Sequence, residues 1–167
     1  METIIKFLYE SVRAGTPLLY GTTGEIITER TGSLNLGVEG MMAMGAIGGY
    51  LLACSSGSLI IGILFAFLFG ALGALIYAFL TVTMQANQNV CGLALTIFGV
   101  GVYRYVGQTI SKANSFPRLG EYPELSEAVA DRGIPYLRDI PYIGKLLFSY
   151  NWFVYLGVVI AILCYIY

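Results

Sequence analysis

Two polar stretches hold most of the side chains in this chain that could bind a solute. Residues 24–40 gather three carboxylates (Glu25, Glu29, Glu39), Arg30, Asn35 and four glycines in 17 positions, between two apolar segments. Residues 85–89 place four amides in five positions, Gln85, Asn87, Gln88 and Asn89, just before an apolar run that contains Thr96. Amides offer donors and acceptors without charge, which suits hydroxyl-rich or heterocyclic solutes better than ions. Each stretch also has a plain reading as a polar turn. For residues 24–40, one reading is a solvated turn. The other is unwound backbone at 33–37 inside the membrane boundary, tolerated only where protein or a water-filled cavity satisfies its N–H and C=O groups. Glu39 would then open the next helix at its positive end, as a cap or as the partner of a buried cation. The Thr96 hydroxyl is expected to bond back onto its own helix rather than onto a ligand.

None of these residues is placed for catalysis. The chain has no histidine, and its two aspartates, Asp131 and Asp139, fall in a polar loop rather than in an apolar segment. Intramembrane catalysis needs a nucleophile with its base, a metal cluster or an aspartate pair at depth, and the sequence supplies none of them. Cys54, Cys91 and Cys164 are scattered through apolar stretches without metal-site or disulfide spacing and read as small buried hydrophobes. No glycine-rich phosphate loop followed by Lys-Ser/Thr is present, so no metal or cofactor is expected on this chain and any ATP would be bound by a partner subunit.

The elements that must position the polar stretches belong to a membrane. The 167 residues are 57% hydrophobic and 11% charged, with a mean hydropathy of +0.74, whereas soluble domains carry about 25% charged residues. A net charge of −1 leaves no basic excess for a phosphate backbone, which excludes nucleic-acid binding. The N-terminus lacks the basic, apolar and small-residue order of a removable signal peptide.

A helix needs about 20 mainly apolar residues to cross the hydrocarbon core, and five segments are candidates. Residues 58–84 carry no charge at all. Residues 38–54 are shorter and glycine-rich, and residues 90–110 carry only Arg104, near the end, where a long side chain can snorkel. Residues 3–23 are interrupted by Lys6, Glu10 and Arg13, so the span proper starts near Ala14; Glu10 and Arg13 are spaced to face one another. Residues 152–167 are apolar but only 16 long. The expected fold class is therefore all-α, a polytopic membrane protein of about five helices, broken or glycine-rich near 24–40 and 85–90. Residues 111–148 form a balanced polar loop, with a short helix expected over 123–132 and turns over 134–147. Small residues at helix-packing spacing, Gly45 with Gly49, Gly70 with Ala74, and Gly99 with Gly101 and Ala94, read as ordinary contacts between spans.

The run Gly-Glu-Ile-Ile-Thr-Glu-Arg-Thr-Gly-Ser-Leu-Asn-Leu-Gly-Val-Glu-Gly-Met-Met-Ala-Met-Gly-Ala at 24–46 resembles the signature of the permease subunits of ABC importers for nucleosides and simple sugars, which are related to the ribose and branched-chain amino-acid permeases. The resemblance continues at 16–19 (TPLL), 86–96 (ANQNVCGLALT) and 134–148 (IPYLRDIPYIGKLLF), in the family's order, and covers essentially the whole chain. It implies one permease domain over 1–167, paired in the cell membrane with a second permease subunit, ABC ATPase subunits and an extracytoplasmic substrate-binding lipoprotein. It places loop 111–148 outside the cell. The solute would be a nucleoside or sugar, with Asn35, Glu39, Asn87, Gln88, Asn89 and Thr96 along its route, hydrogen bonding to it or positioning broken helices. Members of the family are roughly twice as long, so the chain is expected to be an N-terminal portion. The alternative is a truncated, non-transporting permease that acts only in assembly.

Overall fold

A computed structural model of the chain describes residues 2–112, 121–131, 133 and 146–166. Among the described residues the α-helices are, in order, α1 (Glu2–Arg30), α2 (Val38–Ser56), α3 (Leu59–Ala78), α4 (Gln88–Lys112), α5 (Pro123–Val129) and α6 (Trp152–Ile166). A π turn, Phe79–Thr83, extends α3, and no strand occurs among the described residues. Three helical stretches are long and apolar enough to cross a membrane: α2, α3 with its π turn, and α4. α6 is apolar but shorter, as its sequence predicts. The chain divides into two compact units, one made of residues up to Ile27 and from Val129 on, the other of Thr28–Ala128.

In the second unit, α2 is the central element. Half of its apolar window is buried, against 11% for α3 and 17% for α4. The reason is its glycines. Gly45 and Gly49 lie directly on Ala66 and Gly62 of α3, where a Cβ on Gly45 would stand 2.8 Å from the Ala66 carbonyl oxygen. On the other side Gly40 meets α4 backbone to backbone, and a Cβ on Gly99 would stand 2.6 Å from the Gly40 Cα. Without a hydrophobic drive between helices in lipid, this closeness is what makes packing favourable. Met41, Tyr77 and Leu95 form the buried cluster between the three helices, with Cys91 against it. Of the expected small-residue contacts, Gly101 makes none, since nothing lies within 4 Å of its Cβ position. α3 turns Phe67, Leu75 and Val82 outward, as a helix against lipid or further protein does.

The first unit is knit by tyrosines and one aspartate. Tyr20 donates to the Phe153 carbonyl at 2.7 Å, over the space left by Gly157. Tyr9 stacks on Tyr150 with ring centroids 4.8 Å apart. Arg13 meets Glu10 at 3.9 Å, as their spacing suggests, and Asp131 at 3.4 Å. The Asn151 N–H donates to the same aspartate at 3.1 Å.

The breaks differ from their expected bounds. α1 does not stop at Gly24: a mid-helix glycine costs only roughly 1 kcal/mol, and the helix runs on to Arg30. It ends in a Schellman motif, with Gly32 at φ +84°, its N–H on the Glu29 carbonyl at 2.9 Å and the Ser33 N–H on the Thr28 carbonyl at 3.3 Å. The non-helical stretch narrows to residues 31–37. At the second break, Gln88 and Asn89 already belong to α4. The short helix begins at Pro123 as expected and ends at Val129, Arg132 lying outside the described residues, as do most of the turns expected over 134–147.

Candidate functional site

Residues 33–37 run as non-helical backbone between α1 and α2, turning at Leu36 and Gly37, and their polar groups must be satisfied by something. Side chains from α3 and α4 do it. The Leu34 N–H donates to Gln88 Oε1 at 2.9 Å, and the Leu34 carbonyl accepts from the Tyr77 hydroxyl at 2.6 Å. The Leu36 carbonyl accepts from the Thr96 hydroxyl at 2.7 Å. Between them Asn35 is buried, its Oδ1 accepting the Gly37 N–H at 2.9 Å and its Nδ2 3.6 Å from the Met41 sulfur. That closes an Asx turn which leads the chain into α2. Gly92 makes room for the approach: a Cβ there would lie 2.8 Å from the Leu36 nitrogen and 3.0 Å from that of Gly37.

The six residues singled out in the sequence thus fall into two groups. Asn35, Gln88 and Thr96 converge on loop 33–37, and Asn87 caps α4, its Oδ1 accepting the N–H groups of Asn89 at 3.0 Å and Val90 at 3.2 Å. Thr96 corrects the expectation of a bond within its own helix. The neighbouring backbone of Leu36 offers an unpaired carbonyl, a stronger attraction than a carbonyl of α4 already used by the helix. Glu39 and Asn89 are exposed, as Asn87 also is. Glu39 stands in the first turn of α2, where the helix dipole favours an anion, and no cation lies within ion-pair range of it among the described residues. Asn89 stands in the first turn of α4 with its amide outward.

Sequence reading missed Tyr77 and Gly92. Tyr77 is a phenol in a span that is otherwise apolar, and a buried phenol nearly always has a hydrogen-bond partner. That was the available signal. Gly92 carried none, since glycines are common throughout these helices.

What the architecture defines is a multi-pass helical membrane protein whose packed helices hold a stretch of unwound, side-chain-satisfied backbone. The chain belongs to the family described as the branched-chain amino acid transport system permease component, whose model matches residues 8–166. Among relatives, it is 33% identical over 141 residues to the Haloferax volcanii protein TsgC13, named for glucose ABC transporter permease function, covering 84% of this chain and 41% of that protein. It is 29% identical over 157 residues to the nucleoside ABC transporter permease protein NupC of Lactococcus lactis, covering 90% of this chain and 47% of the other. With the guanosine ABC transporter permease protein NupQ of Bacillus subtilis the identity is 31% over 140 residues, 80% of this chain and 42% of the relative. The chain therefore spans less than half the length of the curated relatives it matches. No solved structure matches it. As a member of this family with three helices able to cross a bilayer, the chain is a multi-pass protein of the plasma membrane.

Proposed function

We propose that the chain forms part of the membrane pathway of an ABC importer for a nucleoside or a simple sugar, powered by ATP bound on partner subunits. The observation that carries this is the loop 33–37: backbone unwound between apolar helices and held by Tyr77, Gln88 and Thr96. Membrane transporters build solute sites at the helix ends that flank such interruptions, and the relatives are named as nucleoside, guanosine and glucose ABC transporter permease proteins. Glu39 and Asn89, exposed in the first turns of α2 and α4, supply the carboxylate and amide that bond solute hydroxyls and ring nitrogens. Asn35, Asn87, Gln88 and Thr96 hold the broken helices in place. A second permease subunit, two ATPase subunits and a substrate-binding lipoprotein outside the membrane complete the machine, with residues 111–148 on the outer side.

The test is uptake of labelled guanosine, uridine and D-glucose by cells expressing the chain with the genes that adjoin its own. At least one probe is taken up, and Glu39→Gln together with Asn89→Ala raises its KM about tenfold, the cost of roughly one hydrogen bond to a charged or polar partner. Uptake unaltered by both substitutions would sink the pathway assignment of these two residues.

A further inference from the structure

We infer that Tyr77 is a positioning residue for solute passage, acting through the Leu34 carbonyl on loop 33–37; this rests on the reading that the loop borders the solute route. Tyr77 is only 5% exposed and sits in the last turn of α3, two residues before the π turn begins at Phe79. Its ring is part of the cluster with Met41 and Leu95, so the side chain is fixed before its hydroxyl is considered. That hydroxyl then reaches across to the Leu34 carbonyl, 43 residues away in sequence.

Three observations single it out from ordinary helix packing. The bond is to main chain that no helix satisfies, so losing it strands a carbonyl with no replacement donor from its own segment. Leu34 is also held at its N–H by Gln88, so the peptide groups on both sides of its Cα are fixed, one from α4 and the other from α3. And the helix changes its winding at Phe79, two residues on from Tyr77, with the Met84 N–H on the Phe79 carbonyl and the Ala86 N–H on the Leu80 carbonyl. Such π turns are frequent at functional sites. Here the turn leads from the residue that holds Leu34 to the break before α4, so both polar interruptions are tied through one element. The two flanking leucines complete the picture: Leu34 and Leu36 are exposed while Asn35 between them is buried, and the carbonyls of both leucines are anchored by hydroxyls.

The experiment is Tyr77→Phe in the assembled transporter, which removes one oxygen and keeps the ring. Two quantities are read: uptake kinetics with whichever of guanosine, uridine or D-glucose the unaltered transporter carries, and amide hydrogen exchange at residues 33–37 in the detergent-solubilised complex. The expected result is a KM about fivefold higher, with Vmax per assembled complex within about twofold, and exchange at 33–37 faster by about tenfold, as loss of one buried hydrogen bond predicts. Thr96→Val, which frees the Leu36 carbonyl, shifts both in the same direction by less, and co-purification of the ATPase subunits reports assembly for each variant. Faster exchange with an unchanged KM, or unchanged exchange, overturns the inference. If Glu39→Gln and Asn89→Ala alter KM while Tyr77→Phe does not, the positioning role alone falls. If none of the three alters it, the pathway reading falls with it.

Discussion

The two interruptions in the second unit solve the same problem by opposite means. At residues 31–37 the chain leaves α1 through a Schellman turn and is then held by side chains of α3 and α4. At residues 84–87 it is held almost wholly by itself: the π turn supplies carbonyls for Met84 and Ala86, Gln85 takes φ +52°, and Asn87 caps the helix it precedes. One break is a tertiary structure and the other a local one. The difference teaches where variation is tolerable. The first depends on residues up to 60 positions away, whereas the second depends on its nearest neighbours.

The comparison breaks most completely at the crossing of α2 and α4. Gly99→Leu drives a side chain into the Gly40 backbone, and overpacking a tight contact costs about 1–3 kcal/mol even where side chains can give way; here the neighbour is main chain. The complex is expected to accumulate poorly and to lose more than 10 °C of melting temperature in detergent, and a melting temperature within a few degrees of the unaltered protein would show that the two helices do not depend on this approach. Next in size is Gly92→Ala, whose methyl meets the Leu36 and Gly37 nitrogens. Uptake should drop about tenfold, near the 1.4 kcal/mol that corresponds to a decade, while Gly101→Ala, with open space around it, serves as the matched control and leaves uptake as it was. Equal effects of the two alanines would erase the distinction between the loop and the rest of α4. The smallest change is Asn87→Ala, which removes the cap of α4 and costs about 1 kcal/mol. It is expected to lower the melting temperature by a few degrees with KM unaffected, and an altered KM would make the second break as functional as the first.

Much of this arrangement was legible beforehand. The uncharged run at 58–84 announced a span, the carboxylate at 39 announced a helix start, and the Ser-Leu-Asn-Leu-Gly stretch was recognisable as the place where regular structure gives out. What was not legible has a common cause. A side-chain hydroxyl that bonds a distant carbonyl leaves no spacing to detect, so Thr96 was assigned to its own helix and Tyr77 was passed over. The continuation of α1 through Gly24 was missed for a different reason: a glycine costs a helix only about 1 kcal/mol, too little to decide a boundary by itself.

Loop 33–37 also has an inside and an outside. Its asparagine faces the protein, with oxygen and nitrogen both occupied, while leucines 34 and 36 face away. A stretch that looks hydrophilic on paper therefore meets its surroundings as a greasy edge. Whatever slides past it or packs on it encounters methyl groups rather than peptide dipoles, and the break in the helix stays invisible from the outside.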